Sequence, residues 1–399
     1  MKVAGIICEY NPFHLGHAHL LQEVRNRLGK DTAIICVMSG NFVQRGDFAI
    51  FNKHARAKAA ILGGADLILE LPVFWSLASA ERFACGGVSL LQSTGVCTHL
   101  CFGSETGDTS LLSTAANYFL SDTASVSLQK ELQSGISFAA ARQRAAEKDG
   151  CTAASVLQNS NDILGIEYIK ALIRINSSIV PMAIQRLGAE HDSPTENGHI
   201  VSASQIRQIL HQGREISSFL PSAANAVFQE EITTGRGPVS GTTCESAILS
   251  RLRTMPQQEY ESLPDNSEGL ALRLMRYAKT EPTVEQVLQA VKTKRYAMSR
   301  LRRMILCAYL GIYQSDLPET IPYIRPLAFN RIGKSLLREM RTSSLPIITK
   351  PASVRNCCGE VQRTFAMEAH ASDLYTLAFP QKSQRKGSME WQISPIYMP

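Results

Sequence analysis

The stretch VAGIICEYNPFHLGHAHLLQEV, residues 3–24, joins an apolar run to a helical pattern through a break at Asn11-Pro12. Residues 3–10 read as a strand covered on both faces, being short, nearly continuous and rich in β-branched side chains. Proline disfavours helix at the residue before it, so the strand must end in a turn there. Helical periodicity begins near Gly16, with Leu20, Leu21, Val24 and Leu28 on one face. His14 and His17 then lie in the first helical turn, on nearly the same side, and Gly16 lets a ligand approach the backbone. Unpaired backbone N–H groups and the positive end of the helix dipole favour an anion at this point. Two imidazole donors added there make a phosphate clamp. For HxGH in an arbitrary chain the plainer alternative is one histidine capping the turn and one on the surface; its place after the first strand of an α/β pattern favours the clamp.

That pattern continues outward. Apolar runs at 32–40, 66–72, 98–105 and 179–187 alternate with helical stretches such as KHARAKAAILGG and ERFACGGVSLLQ. The alternation predicts an α/β fold with a doubly wound parallel sheet and a ligand site at the carboxyl ends of its strands. From about 215 the spacing turns helical, and TVEQVLQAVKTKRYAMSRLRRMILCAYLGI reads as one such stretch. The expected organisation is a catalytic α/β domain over 1–214, a mainly α-helical basic domain over 215–342, and a small C-terminal segment over 343–399. Within that last part, RTSSLPIITKPASVRN reads as a linker or short strand and PQKSQRKGSMEWQ as a solvated tail.

Composition bounds the class. With 399 residues, 44% hydrophobic and 19% charged, the chain is of ordinary globular type rather than disordered or fibrous. No apolar run reaches the roughly 18 residues a membrane span requires, and Asn-Pro interrupts any signal-peptide core, so a cytoplasmic protein without membrane association is expected. Ten cysteines without a CxxC pair suit reduced thiols. Cys97, His99 and Cys101 lack a second ligand pair, so no structural metal is expected. Residues 1–200 carry a net charge of −2 and residues 201–399 one of +8; between 292 and 341 eleven basic residues face three acidic ones. A solvated helix face or a polyanion such as nucleic acid would each account for that surplus.

HLGH after a first strand resembles the HxGH signature of the nucleotidylyltransferase superfamily. Further blocks narrow the likeness: GIICEYNPFHLGHAHLL, MSGNFVQRGDFAIFNKHARAKAAILGGADLILELP, FGSE at 102–105, SNDILGIEYIKAL, QRLGAEHDS, SASQIR and TKRYAMSRLRR, in that order. Together they resemble the bacterial tRNA(Met) cytidine acetate ligase family over residues 1 to about 375. The resemblance implies a nucleotidylyltransferase-like Rossmann variant that activates acetate with ATP to acetyladenylate. The acetyl group would then pass to N4 of the wobble cytidine of elongator tRNA(Met). ATP would be held by the run Ile7, Cys8, Glu9, Tyr10, Asn11, Pro12, Phe13, His14, Leu15, Gly16, His17, Ala18, His19 and Leu20, and by Gly103, Asn161 and Arg186. Gly103 lets adenine or ribose lie against the backbone. Asn161 offers a donor and an acceptor, unless it caps the following helix. Arg186 ends a strand with a fork of donors, unless it makes a surface ion pair.

Ser202 and Gln205 make a capping box, which would bring Ser204 and Arg207 near the β- and γ-phosphates. His14, His17, Lys53 and Arg207 are the candidate catalytic residues, with Lys53 or Arg45 neutralising carboxylate or phosphate from the loop after the second strand. Mg²⁺ could accompany ATP through Glu9 and Asp47. RNA would meet Lys294, Arg295, Arg300, Arg302 and Arg303 on one helix, and Arg331 and Lys334 beyond it, with Tyr296, Tyr323 and Phe329 interleaved. Three positions depart from the family pattern: Phe48 and Ser160 where proline is usual, and Ala328 where glycine is typical. Two other functions explain part of the pattern. A small-molecule adenylyltransferase accounts for HLGH but leaves the basic region idle, and a non-catalytic RNA-binding protein accounts for the basic region alone.

Overall fold

The computed structural model describes residues 1–186, 201–267 and 269–399. The RLGAEHDS stretch beyond Arg186 therefore lies outside the described residues. Five parallel strands form the centre: β1 (Val3–Cys8), β2 (Ala33–Ser39), β5 (Leu67–Leu71), β6 (His99–Ser104) and β7 (Val180–Gln185). They follow the five apolar runs read from the sequence to within a residue or two at each end. A ribbon of β3 (Phe42–Val43) and β4 (Asp47–Phe48) projects from the end of β2, while β8 (Pro326–Phe329) and β9 (Ile396–Tyr397) extend the sheet at one edge. The order is β7-β6-β1-β2-β5-β8-β9. The chain order reverses between β1 and β6, and a crevice outside the carboxyl ends of these strands is where such sheets bind ligands.

Alternate residues explain the two faces. Ala4, Ile6, Ile34, Cys36 and Met38 pack under the helices Leu15–Leu28, Lys53–Leu62, Ala203–His211 and Ser222–Thr233. Val3, Ile7, Ile35, Val37 and Leu69 face the opposite layer, including the helices Ala80–Ser93 and Ser160–Arg174. Burial on both sides requires near-continuous apolar strands, and β2 is buried at all seven positions.

The helical region is built from Glu245–Thr254, Leu270–Thr280, Val284–Val291 and Met298–Leu310 around Leu252, Leu274, Val287 and Met304. The long helix expected through residues 292–297 is interrupted, because the helix ends at Val291 and the next begins at Met298. Lys292 turns its ammonium onto the carbonyls of Thr293 and Tyr296, stabilising this break.

The structure does not divide the chain at 342. β8 pairs antiparallel with β5, β9 pairs with β8, and the helix Gly359–Thr376 returns to the carboxyl end of the sheet, where Tyr375 donates to the Ala49 carbonyl at 2.7 Å. Nor is 380–392 a solvated tail throughout. Glu390 is 2% exposed and lies 2.9 Å from Lys53 and 2.5 Å from Arg325. The reason lies in β5, whose Glu70 is fully buried in an otherwise apolar strand and must find cations. Lys53 and Arg325 supply them, and Glu368 and Glu390 complete the cluster. Of the three departures, Phe48 fills an aromatic cluster with Phe42, Tyr309 and Tyr375, Ala328 is buried opposite Ile68, and Ser160 opens a helix.

Replacing Lys53 with Ala leaves three buried carboxylates against Arg325 alone, and removing residues 380–399 takes Glu390 from both Lys53 and Arg325 and strips the β9 edge from the sheet. Each change is expected to cost about 3–5 kcal/mol in urea unfolding. Unchanged stability in the truncated chain would restore the solvated-tail reading.

Candidate functional site

The site forms where β1 ends. Tyr10 adopts positive φ, Asn11-Pro12 is cis, and helix begins at Leu15 with His14 as its N-cap. Asn11 Oδ1 accepts the Ile50 N–H at 2.7 Å, which holds the turn against the segment after β4. The two histidines cap the helix reciprocally. His14 Nδ1 accepts the Gly16 N–H at 3.0 Å, and His17 Nδ1 accepts the His14 N–H at 3.3 Å. Their rings lie 3.7 Å apart between centroids. Capping does not use up the rings: each Nδ1 is spent on a backbone N–H, which places the proton of the neutral ring on Nε2 as a donor.

Both rings are held neutral. Burial, then Arg186 and Arg207, lowers His14 to about 3, and burial, then His14 and Arg186, holds His17 well below the usual imidazole range. The helix start thus carries a pair of neutral N–H donors, with positive charge nearby on Arg186 and Arg207. Arg207 reaches the same turn, donating to the Asn11 carbonyl at 2.7 Å from the helix Ala203–His211. The Ser202–Gln205 capping box expected there is present, and Ser204 lies exposed in its first turn.

Gly103 and Arg186, distant in sequence, meet across the β6–β7 pair. A Cβ on Gly103 would lie 3.3 Å from Arg186 Cγ, so the missing side chain leaves space beside the guanidinium arm. Asn161 lies at the same end but is not the cap; Asn159 holds that position, while Asn161 Nδ2 donates to Glu105 at 2.6 Å. Asp162 accepts the backbone N–H of Glu105 at 3.0 Å, fixing the loop after β6.

Other expected residues fall elsewhere. In the 7–20 run, Ile7 is buried in the core on one face of the sheet, Tyr10 and Phe13 are buried in that on the other, and Ala18 and Leu20 pack against the latter, so these positions offer a ligand chiefly backbone. Cys8 donates to the Val37 carbonyl. Lys53 does not face the site; it is fully buried between Glu70, Glu368 and Glu390. Glu9 Oε1 takes the Gln44 N–H at 2.8 Å and Asp47 takes that of Phe48. Burial raises both carboxyls above their usual range while Arg207 opposes the rise, so they suit arginine partners rather than a metal cage. No group of three or more His, Cys, Asp or Glu residues with metal-binding geometry occurs among the described residues.

The basic residues separate into two places. Gly46, at φ +79°, brings the β3–β4 turn onto Arg302 and Arg303, so the helix Met298–Leu310 abuts the carboxyl end of the sheet. Arg302 and Arg45 are exposed there. Arg303 is spent on Asp265 at 2.7 Å, and Arg300 on the Asp265 carbonyl at 2.5 Å. Lys294 and Arg295 line a cavity of about 460 Å³ with Arg273 and Tyr296. Tyr323 is buried beside Phe365 and Phe329 lies against Tyr397, so neither serves as an open stacking platform at the site. Arg331 and Lys334 sit at the opposite, amino end of the strands, beside Asp66. Sequence reasoning missed Glu105 and Asp162, whose pairing crosses more than fifty residues. The Asp at the start of SNDILG was the available signal.

A reversed strand order, an anion-ready helix start and convergent arginines define a nucleotide-binding enzyme of the transferase type. The family model described as HIGH Nucleotidyl Transferase matches residues 1–390. The tRNA(Met) cytidine acetate ligase of Acetivibrio thermocellus is 36% identical, with both chains covered completely. That of Caldicellulosiruptor saccharolyticus is 38% identical over 100% of this chain and 99% of its own. TmcAL of Thermotoga maritima, solved bound with alpha-thio ATP, superposes with a TM-score of 0.93 at 34% identity over the whole of both chains. The chain belongs to the HIGH nucleotidyl transferase family and, within it, to the tRNA(Met) cytidine acetate ligases. No described helix is long and apolar enough to cross a membrane.

Two outcomes follow from the cap. His14→Ala should lose about 1 kcal/mol of stability together with nucleotide affinity, whereas His14→Asn should recover the cap but not the Nε2 donor. Equal nucleotide affinity for His14→Asn and the parent chain would refute a ligand role. The unfolded chain protonates His14 near 6.5 while the folded one resists until about 3. The unfolded state therefore binds more protons in that window, and stability should decline as pH falls below 6.5. Ring-proton NMR of the unliganded protein checks this; His14 titrating near 6.5 would contradict it.

Proposed function

We propose that this chain is an ATP-dependent ligase that forms acetyladenylate and transfers its acetyl group to N4 of the wobble cytidine of elongator tRNA(Met). The observation that carries the reading is the neutral double-histidine cap flanked by Arg186 and Arg207, in a chain that matches tRNA(Met) cytidine acetate ligases along its whole length. ATP would lie across the turn after β1, its phosphates meeting Nε2–H of His14 and His17, Arg207 and the Ser204 hydroxyl. Its adenosine would lie over Gly103, near Asn161 and Arg186.

No protein nucleophile is needed. An acetate oxygen attacks the α-phosphorus, the bond to the β-phosphate oxygen breaks, and pyrophosphate leaves as the phosphate donors stabilise its charge. The cytidine amine then attacks the acetyl carbonyl, AMP departs, and the amine loses one proton. An activated acyl donor suits so weak a nucleophile. Mg²⁺ would arrive with the triphosphate. Exposed Arg45 and Arg302 would give the RNA an electropositive approach to this end, and Lys294 and Arg295 would add cations on the helical region.

The test supplies purified protein with ATP, labelled acetate and tRNA. Acetate-dependent exchange of pyrophosphate into ATP and label in N4-acetylcytidine are expected. Exchange that ignores acetate and requires a small-molecule acceptor would favour an adenylyltransferase. No exchange with retained RNA affinity would leave a binding protein.

A further inference from the structure

The helix Arg331–Glu339 lies at the amino ends of the strands. Its cap, Asn330, accepts the Gly333 N–H at 3.0 Å and donates to Asp66 Oδ1 at 2.8 Å, just before β5. Gly333 lies against the Asp66 carbonyl, and Leu336 is fully buried. Beyond the far end, Ser343 donates to the Ser93 carbonyl at 2.6 Å, at the C-terminus of the helix Ala80–Ser93. One face of the helix thus seals the base of the sheet. The other presents Arg331, Lys334 and Arg338, and Arg341 follows in the next turn; all four are exposed.

These positions stand at i, i+3, i+7 and i+10, a single stripe with neighbours about 4.5–6 Å apart along the axis. Among the described residues none of the four side chains forms an ion pair or donates a hydrogen bond; Lys334 lies over the Tyr397 ring at 5.3 Å. Several arginines elsewhere are committed: Arg251 to Glu259, Arg253 to two carbonyls, Arg303 to Asp265, Arg325 to Glu390. Like charges at this spacing repel, and Glu339 is the only acid within 331–341. A merely solvated face would more often mix the two signs.

We propose that this stripe is a second RNA-contact surface that grips the phosphodiester backbone of the same RNA substrate, about 20 Å from the nucleotide site across the length of the strands. The inference rests on the proposed RNA acceptor. Its contacts are sequence-independent and set the register of a folded RNA, leaving base choice to the carboxyl end of the sheet.

The experiment compares the full-length parent with a variant carrying Arg331→Ala, Lys334→Ala, Arg338→Ala and Arg341→Ala, measuring tRNA affinity against salt. The variant should keep its thermal midpoint and acetate-dependent pyrophosphate exchange. Its affinity for whole tRNA should weaken about tenfold to hundredfold at 0.1–0.2 M salt, with a log–log slope shallower by about 3. Binding of an isolated anticodon stem-loop should not change. Unaltered tRNA affinity and slope would overturn the proposal, as would a loss confined to anionic vesicles or a protein partner. A parent that binds tRNA steeply with salt yet makes no acetylcytidine would remove the functional reading and leave the stripe standing. A parent that does not bind tRNA would remove both.

Discussion

The guanidinium of Arg56 organises the carboxyl end of the sheet. Fully buried, it donates to the carbonyls of Glu9, Ser39, Gly40 and Phe51. Those carbonyls belong to the segments leaving β1 and β2 and to the one entering the helix Lys53–Leu62. A planar fork has few ways to satisfy four acceptors, so it sets where the two strands stop and how the chain turns. The turn carrying His14 and His17 begins one residue beyond Glu9. The imidazoles are therefore aimed by an arginine that never needs to meet a ligand.

Charge in this protein is divided by depth. The interior holds Lys53 and Arg325 against Glu70, Glu368 and Glu390, and burial followed by the neighbouring Glu368 raises Glu70 to about 8. This cluster joins the helix after β2, the centre of the sheet, β8, the last long helix and the final segment. It stabilises the closure of the chain upon itself. At the mouth the logic reverses: the histidines remain neutral, and the arginines around them carry the positive charge. That donor pair is held in place by the backbone N–H groups it caps.

Much of the fold was legible. Five apolar runs placed five strands because strands buried on both faces tolerate little else, and the break at Asn11-Pro12 located the helix start. The gathering of His14, His17, Gly103 and Arg186 at one end of the sheet was legible through HLGH and the strand ends, since a doubly wound sheet presents those ends together. Glu70 within DLILELP was a visible clue to a buried ion cluster, yet its partners lie as far away as residue 390. The tail read as solvated for the same reason: a segment rich in Lys, Gln and Ser shows nothing of the single Glu that enters the core.

The basic surplus shows the same boundary between levels. Its size and its place along the chain belong to the sequence. Its division between two ends of the sheet does not, because β8 carries the chain antiparallel past β5 and delivers Arg331 and Lys334 to the amino side, while Gly46 packs Arg302 against the carboxyl end. By itself the sequence determined the strands, the helix start and the residue types gathered at it, since these follow from local pattern. Which cations remain free for a ligand, and which are spent on buried carboxylates and carbonyls, was decided only by tertiary structure, because pairing across hundreds of residues depends on proximity in space.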